Sequence, residues 1–115
     1  MTFDDVRRIA LSLPEAAEVL TWETDVTFRV NGKIFAMGGA GNEASIKASP
    51  MVQADLIDRD PRAYSPAPYV GRFGWVTVRL DRVDETQLRE LLAAAWRATA
   101  PKRLAATLPA EDGAG

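Results

Sequence analysis

Apolar residues recur at Phe3, Val6, Ile9, Ala10 and Leu13, the spacing of one helical face, and Pro14 breaks the series. Thr2-Phe3-Asp4-Asp5 has the form of a capping box, so a first helix is predicted over about residues 3–13. The period then changes. Glu18 to Trp22 reads as a short strand, and Val26 to Val30 alternates with period two. Asn31-Gly32 suits a type I′ turn, because both central positions need positive φ. That turn predicts Phe28 opposite Phe35 and Val26 opposite Met37, with Thr27, Arg29, Ile34 and Ala36 on the other face.

Gly38 to Asn42 forms a second turn, leading to a strand over Glu43 to Ala48 in which Ala44 and Ile46 alternate with Ser45 and Lys47. Ser49-Pro50 supplies an N-cap and a proline at the first helical position, which predicts a helix over about 50–59 with Val52 and Leu56 inward. Pro61 to Gly74 holds three prolines, two glycines, two tyrosines and a phenylalanine, the composition of a long shaped loop. Trp75 to Asp81 alternates again, with Val76, Val78 and Leu80 on one face and Trp75, Thr77 and Arg79 on the other. Asp84 to Gln87 resembles a capping box, and Leu88, Leu91, Leu92, Ala95, Trp96 and Thr99 trace the stripe of a helix over about 85–99. Pro101 ends it, Lys102 to Leu108 adds a turn, and Pro109 to Gly115 reads as an acidic tail. The expectation is one domain over 1–108 with a flexible tail over 109–115.

This order of elements fits an α+β two-layer sandwich: an antiparallel sheet of four to five strands with helices on one face. The uncovered face would present Thr27, Arg29, Ser45, Lys47, Thr77 and Arg79, with Ile34 and Trp75 among them.

Composition removes most enzyme classes. The 115 residues include neither cysteine nor histidine. Thiolate nucleophiles, disulfides, zinc-thiolate and iron–sulfur sites are excluded, together with the commonest general base. No apolar run approaches a membrane span, and MTFDDVRR lacks the form of a signal peptide, so a cytoplasmic protein is expected. The formal charge is -2 and the pI about 5.1, but charge is uneven. Residues 1–25 hold six acids against two arginines, whereas Arg29 to Arg103 contains twelve basic residues against eight acids. Arginine outnumbers lysine eleven to three, in keeping with a GC-rich bacterial genome.

The basic sheet face is the sharpest candidate, since Arg and Lys neutralise phosphates and an exposed aromatic stacks on a base. Its plainer reading is a solvated antiparallel face with Trp75 covered by the 61–74 loop. GGAGN lacks the following helix and the Lys-Ser/Thr pair of a phosphate loop and reads as a hairpin turn. Glu15, Glu18, Glu23 and Asp25 match no cation-loop spacing, and Asp58 and Asp60 look like helix-end chemistry. Tyr64 and Tyr69 are read as anchors of the loop on the core, and Trp96 as core.

Four segments together resemble the MmcQ/YjbR family of small bacterial proteins. They are ALSLPEA at Ala10 to Ala16, TFRVNGKIFA at Thr27 to Ala36, SIKAS at Ser45 to Ser49, and PAPYVGRFGWVTVRLD at Pro66 to Asp81. The closing helix LRELLAAAWRATAPKRL fits as well. The resemblance implies a sandwich related in outline to secretion-chaperone-like and frataxin-like folds, and the family's usual label, a DNA-binding protein with a double-wing arrangement. The family's hairpin lysine falls on Lys33, its later strand lysine on Lys47, and its Gly-Trp pair on Gly74 and Trp75. Where the family often has Ser-Tyr in the last helix, this chain has Ala95-Trp96. The reading is a non-enzymatic DNA-binding protein using Arg29, Lys33, Lys47, Arg72, Trp75 and Arg79, without cofactor, metal or membrane. A protein-interaction or chaperone-like module using the sheet face and the 61–74 loop is the alternative. Monomer or weak homodimer is expected.

Overall fold

The computed structural model describes residues 1–21, 25–39 and 41–107. Its elements run α1 (Phe3–Leu11), β1 (Ala17–Leu20), β2 (Val26–Val30), β3 (Lys33–Gly38), β4 (Glu43–Ile46), α2 (Pro50–Arg59), β5 (Tyr64–Pro66), β6 (Val76–Arg79), α3 (Glu85–Thr99) and α4 (Lys102–Ala105). Six antiparallel strands form one sheet in the order β1-β2-β3-β4-β6-β5. The sheet exceeds the expected four to five strands because the Pro-rich loop contains β5, a three-residue edge strand. Trp22, in the first strand as read from sequence, and the Pro109 to Gly115 tail lie outside the described residues. No helix among the described residues is long and apolar enough to cross a membrane.

The helices α1 and α3 cover the inner face of the sheet. Val6, Ile9, Leu88, Leu92 and Trp96 meet Phe28, Phe35, Ile46, Val76 and Val78 in one core from which water is excluded. Trp96 crosses the layers: its indole Nε1 donates to the Pro14 carbonyl at 2.9 Å, so the ring is buried without stranding its N–H. Both long helices start on reciprocal caps, Thr2 with Asp5 and Asp84 with Gln87. Arg8 joins them at the surface, contacting Asp5 at 3.2 Å and Glu85 at 2.9 Å.

The hairpin departs from the register the turn alone implies. Val30 pairs with Lys33 and Arg29 with Ile34, but the ladder then shifts, so that Phe28 faces Ala36, Thr27 faces Met37 and Val26 faces Gly38. Ala36 is therefore buried on the inner face and Met37 stands on the outer one, the reverse of the sequence reading. The cause lies in α1. The Phe3 ring sits over the sheet beside Phe28, and a Cβ at residue 38 would come within 2.6 Å of it. A side chain there would have to displace the Phe3 ring, and the extra residue in β3 brings Gly38 to that place while keeping Phe35 in the core.

Helix α2 lies beside β5 and is rotated from expectation: Val52 is exposed, while Gln53, Leu56 and Ile57 turn inward. Gln53 sets this phase. Its amide donates to the carbonyls of Gly71 and Trp75, both at 2.7 Å, fastening the loop to the helix. Gly74 permits the same junction, since at φ 104 a Cβ would meet the Ser49 carbonyl carbon at 2.5 Å.

Two glycines with positive φ thus differ in cost. Gly32→Ala, at φ 76 with open space around it, is expected to lose about 1 kcal/mol. Gly74→Ala is expected to lose roughly 3 kcal/mol or more, because backbone atoms of Ser49 and Pro50 must move. Chemical denaturation of both variants measures this, and equal losses would contradict the close approach at Gly74.

The Asp5 carboxyl is held below its usual range first by the Thr2 backbone N–H and then by Arg8, and that of Glu85 by Arg8 and then Arg89. Depressed folded-state pKa values mean stability present above the unfolded carboxylate range and lost as pH falls through the folded values. The difference in Tm between wild type and Arg8→Gln is accordingly expected to shrink as pH drops from about 6 toward 3. A constant difference across that window would show that these pairs carry none of the acid sensitivity.

Candidate nucleic-acid interface

Strand pairing builds the outer face row by row. One row runs Ala17, Arg29, Ile34, and continues to Lys47 and Trp75, the residues after Ile46 and before its partner Val76. The Lys47 N–H donates to the Phe35 carbonyl at 3.0 Å, holding this residue alongside β3. The next row runs Val19, Thr27, Met37, Ser45, Thr77 and Ser65. Beyond it, Glu43 pairs with Arg79.

Thr27 orients the first cation. Its hydroxyl donates to the Val19 carbonyl at 3.0 Å and accepts from Arg29 Nε at 3.0 Å. This leaves the outer edge of the guanidinium free of any ion pair between described residues. Farther along the second row stands Thr77, only 8% exposed, whose hydroxyl oxygen has no hydrogen-bond partner among the described residues.

The segment from Ala67 to Trp75 partly roofs these rows. A cleft of about 370 Å³ separates it from the sheet, floored by Thr27, Ile34, Met37 and Ser45 and bounded by Pro68 and Tyr69, with Asp25 its one charged lining residue. Tyr69 is held in a positive-φ γ-turn, φ 64 and ψ -52, with the Val70 N–H donating to the Pro68 carbonyl at 2.6 Å. Such a conformation costs a non-glycine residue about 1–3 kcal/mol. Here it lifts a side chain that is 95% exposed to the cleft mouth. The loop frame sustains it through Gly71 N–H to Ala67 carbonyl (2.9 Å), Ala67 N–H to Trp75 carbonyl (3.2 Å) and the Gln53 bonds. Phe73, also exposed, carries the Arg72 guanidinium 4.8 Å above its ring.

The residues singled out in the sequence separate into groups. Arg29, Lys47 and Trp75 share one row and are half-buried. Arg79 lies on the same face four residues along β6 from Trp75, about 13 Å by strand rise. Lys33 partners the buried Val30 and so leaves the hairpin tip on the helical side, apart from Arg29. Arg72 extends from the short 3₁₀ turn Val70–Phe73. Tyr64 is buried, as its reading as an anchor requires, but Tyr69 anchors nothing. Tyr69 and Phe73 were missed as surface aromatics; the only sequence signal was their place among prolines and glycines.

Ion pairing differs between the layers. Every ion pair between described residues involves Arg7, Arg8, Arg59 or Arg89, on α1, α2 or α3. Arg29, Lys33, Lys47, Arg72 and Arg79 enter none. Glu18 of the N-terminal acidic group holds Arg7 at 2.8 Å on the helical side, whereas Asp25 and Glu43 lie on the outer face. The outer-face cations thus enter no ion pair with a described residue, although these two acids share that face with them.

Comparison with known proteins agrees with this architecture. The chain is 29% identical to the uncharacterized protein Rv2570 of Mycobacterium tuberculosis, over 97% of this chain and 98% of that one, and equally to the uncharacterized protein Mb2600 of Mycobacterium bovis. The crystal structure of Deinococcus radiodurans protein DR2400, a DUF419 domain, superposes with a TM-score of 0.76 at 25% identity, covering 84% of this chain and 77% of the other. The model of the YjbR family matches residues 11–98, which include the hairpin, the roofing loop and most of α3, and the chain belongs to that family.

Proposed function

We propose that this protein binds DNA without catalysis, laying the phosphate backbone along the outer sheet face and bases against the aromatics of the roofing loop. The observation that carries the reading is that Arg29, Lys47, Arg72 and Arg79, on the outer face and its loop, enter no ion pair with described residues, whereas Arg7, Arg8, Arg59 and Arg89 of α1, α2 and α3 do. An unpaired cation is free to displace the counterions of a phosphate, which supplies most of the affinity in such complexes. Arg29 and Lys47 take phosphates in this reading, and Arg79 extends the path. Trp75, Tyr69 and Phe73 offer the π-faces on which unpaired bases stack. Exposed aromatic faces suit a single strand, whose bases are unstacked, better than a duplex.

Exposed Val19 on the edge strand β1, with Tyr69 and Phe73, favours a second reading in which a protein partner docks on the same side. Salt distinguishes the two. Fluorescence anisotropy of labelled single- and double-stranded DNA is expected to show binding at low salt that weakens steeply as salt rises. In a folded Arg29→Glu/Lys47→Glu variant, the slope of log affinity against log salt is expected to fall by about two. Absence of binding even at low salt would reject the nucleic-acid reading and leave the protein partner.

The strained turn gives an independent check. Tyr69→Gly relieves the positive φ and loses the aromatic, so thermal stability is expected to rise while DNA affinity drops about fivefold or more. A variant that is less stable and binds equally well would assign Tyr69 a purely structural role.

A further inference from the structure

A second basic site lies at the opposite end of the sheet. Arg62, Arg79 and Arg82 line one concavity of about 450 Å³. The Arg79 N–H donates to the Ala63 carbonyl at 2.8 Å, which brings the segment carrying Arg62 alongside β6. Arg82 follows in the 3₁₀ turn Leu80–Arg82, three residues after Arg79. None of the three enters an ion pair with a described residue.

Their isolation is built into the local structure. Asp60, Asp81 and Asp84 lie within two residues of these arginines in sequence, yet two of the three serve the backbone. Asp60 Oδ1 accepts from the Arg62 N–H at 3.2 Å, and Asp84 Oδ1 caps α3 by accepting from the Gln87 N–H at 2.8 Å. Three like charges in one recess repel one another, and a recess lined mainly by one sign concentrates the opposite ion. Guanidinium forks match phosphate oxygens in pairs, which lysine cannot do. Tyr64 borders the same recess. Glu43, the one carboxylate lining the recess, offers acceptors to a hydroxyl-bearing group.

We infer that this recess binds a phosphomonoester, with Arg62, Arg79 and Arg82 around the phosphate and Glu43 receiving a hydroxyl of the alcohol portion. The volume falls in the range of small-molecule sites and exceeds what a bare phosphate needs. A sugar phosphate or nucleoside monophosphate is the matching class, and the terminal phosphate of a DNA strand presents the same group. The site stands whether or not a strand crosses Arg29 and Lys47.

Isothermal titration with inorganic phosphate, a nucleoside 5′-monophosphate and the corresponding nucleoside tests it, with 5′-phosphorylated and 5′-hydroxyl oligonucleotides as further arms. Saturable binding of the monophosphate, tighter than that of phosphate and absent for the nucleoside, is expected. Arg79→Gln/Arg82→Gln should weaken it by about tenfold or more, and Arg82→Lys by less. Arg62→Gln, at an exposed position, serves if the double variant does not fold. Arg29→Glu/Lys47→Glu should leave monophosphate binding intact, so failure of the outer-face reading remains separate from failure of this one. A preference for the 5′-phosphorylated strand would make the terminal phosphate the source, and equal binding of the two strands would make it the free small molecule. No saturable binding of phosphate or monophosphate at low salt, or unchanged affinity in the arginine variants, would overturn the proposal.

Discussion

A phenylalanine ring resting on a glycine sets the register of this sheet. Phe3 of α1 lies over Gly38, where any side chain would collide with it, and the added residue in β3 brings that glycine into place. With the register fixed, Phe35 and Ala36 are both buried, and Met37 joins Thr27, Ser45 and Thr77 outside. The outer face follows from the inner one: a slip of one residue would exchange the two faces of β3 and carry Met37 into the core. Helix packing on one side therefore determines which side chains a partner meets on the other.

Elements with strong periodicity were readable from sequence because a local pattern sufficed. The stripe from Leu88 to Thr99 forms α3 over Glu85–Thr99, and Ser49-Pro50 opens α2 at Pro50. Asn31-Gly32 does form the turn. The register beyond it was not legible, because it answers to Phe3, more than thirty residues away in sequence. The phase of α2 depends likewise on Gln53 meeting carbonyls at Gly71 and Trp75, and the strand Tyr64–Pro66 inside the Pro-rich loop on pairing with β6. Of the site, strand alternation foretold that Arg29, Lys47 and Trp75 share a face. It could not foretell that Lys33, one hairpin position away, leaves on the helical side with Val30, or that a γ-turn exposes Tyr69.

Two local costs concentrate around the outer face. Tyr69 occupies a strained backbone conformation, and Thr77 buries a hydroxyl without a hydrogen-bond partner among the described residues, at a cost of about 1–3 kcal/mol each. The helical layer shows the opposite economy, with reciprocal caps, the Trp96 to Pro14 bond and ion pairs within and between its elements. Contacts of this kind in the helical layer offset the local costs at Tyr69 and Thr77.

The central claim is that the outer face, and not the helical layer, receives nucleic acid. Backbone amide NMR shifts of the labelled protein, followed during titration with an unlabelled single-stranded oligonucleotide at low salt, test it most directly. The account predicts that perturbations cluster on Arg29, Ile34, Ser45, Lys47, Trp75 and the Ala67 to Phe73 loop, while Arg7, Arg8 and Arg89 stay still. Perturbations centred on α1 and α3, or none under any salt condition, would contradict it.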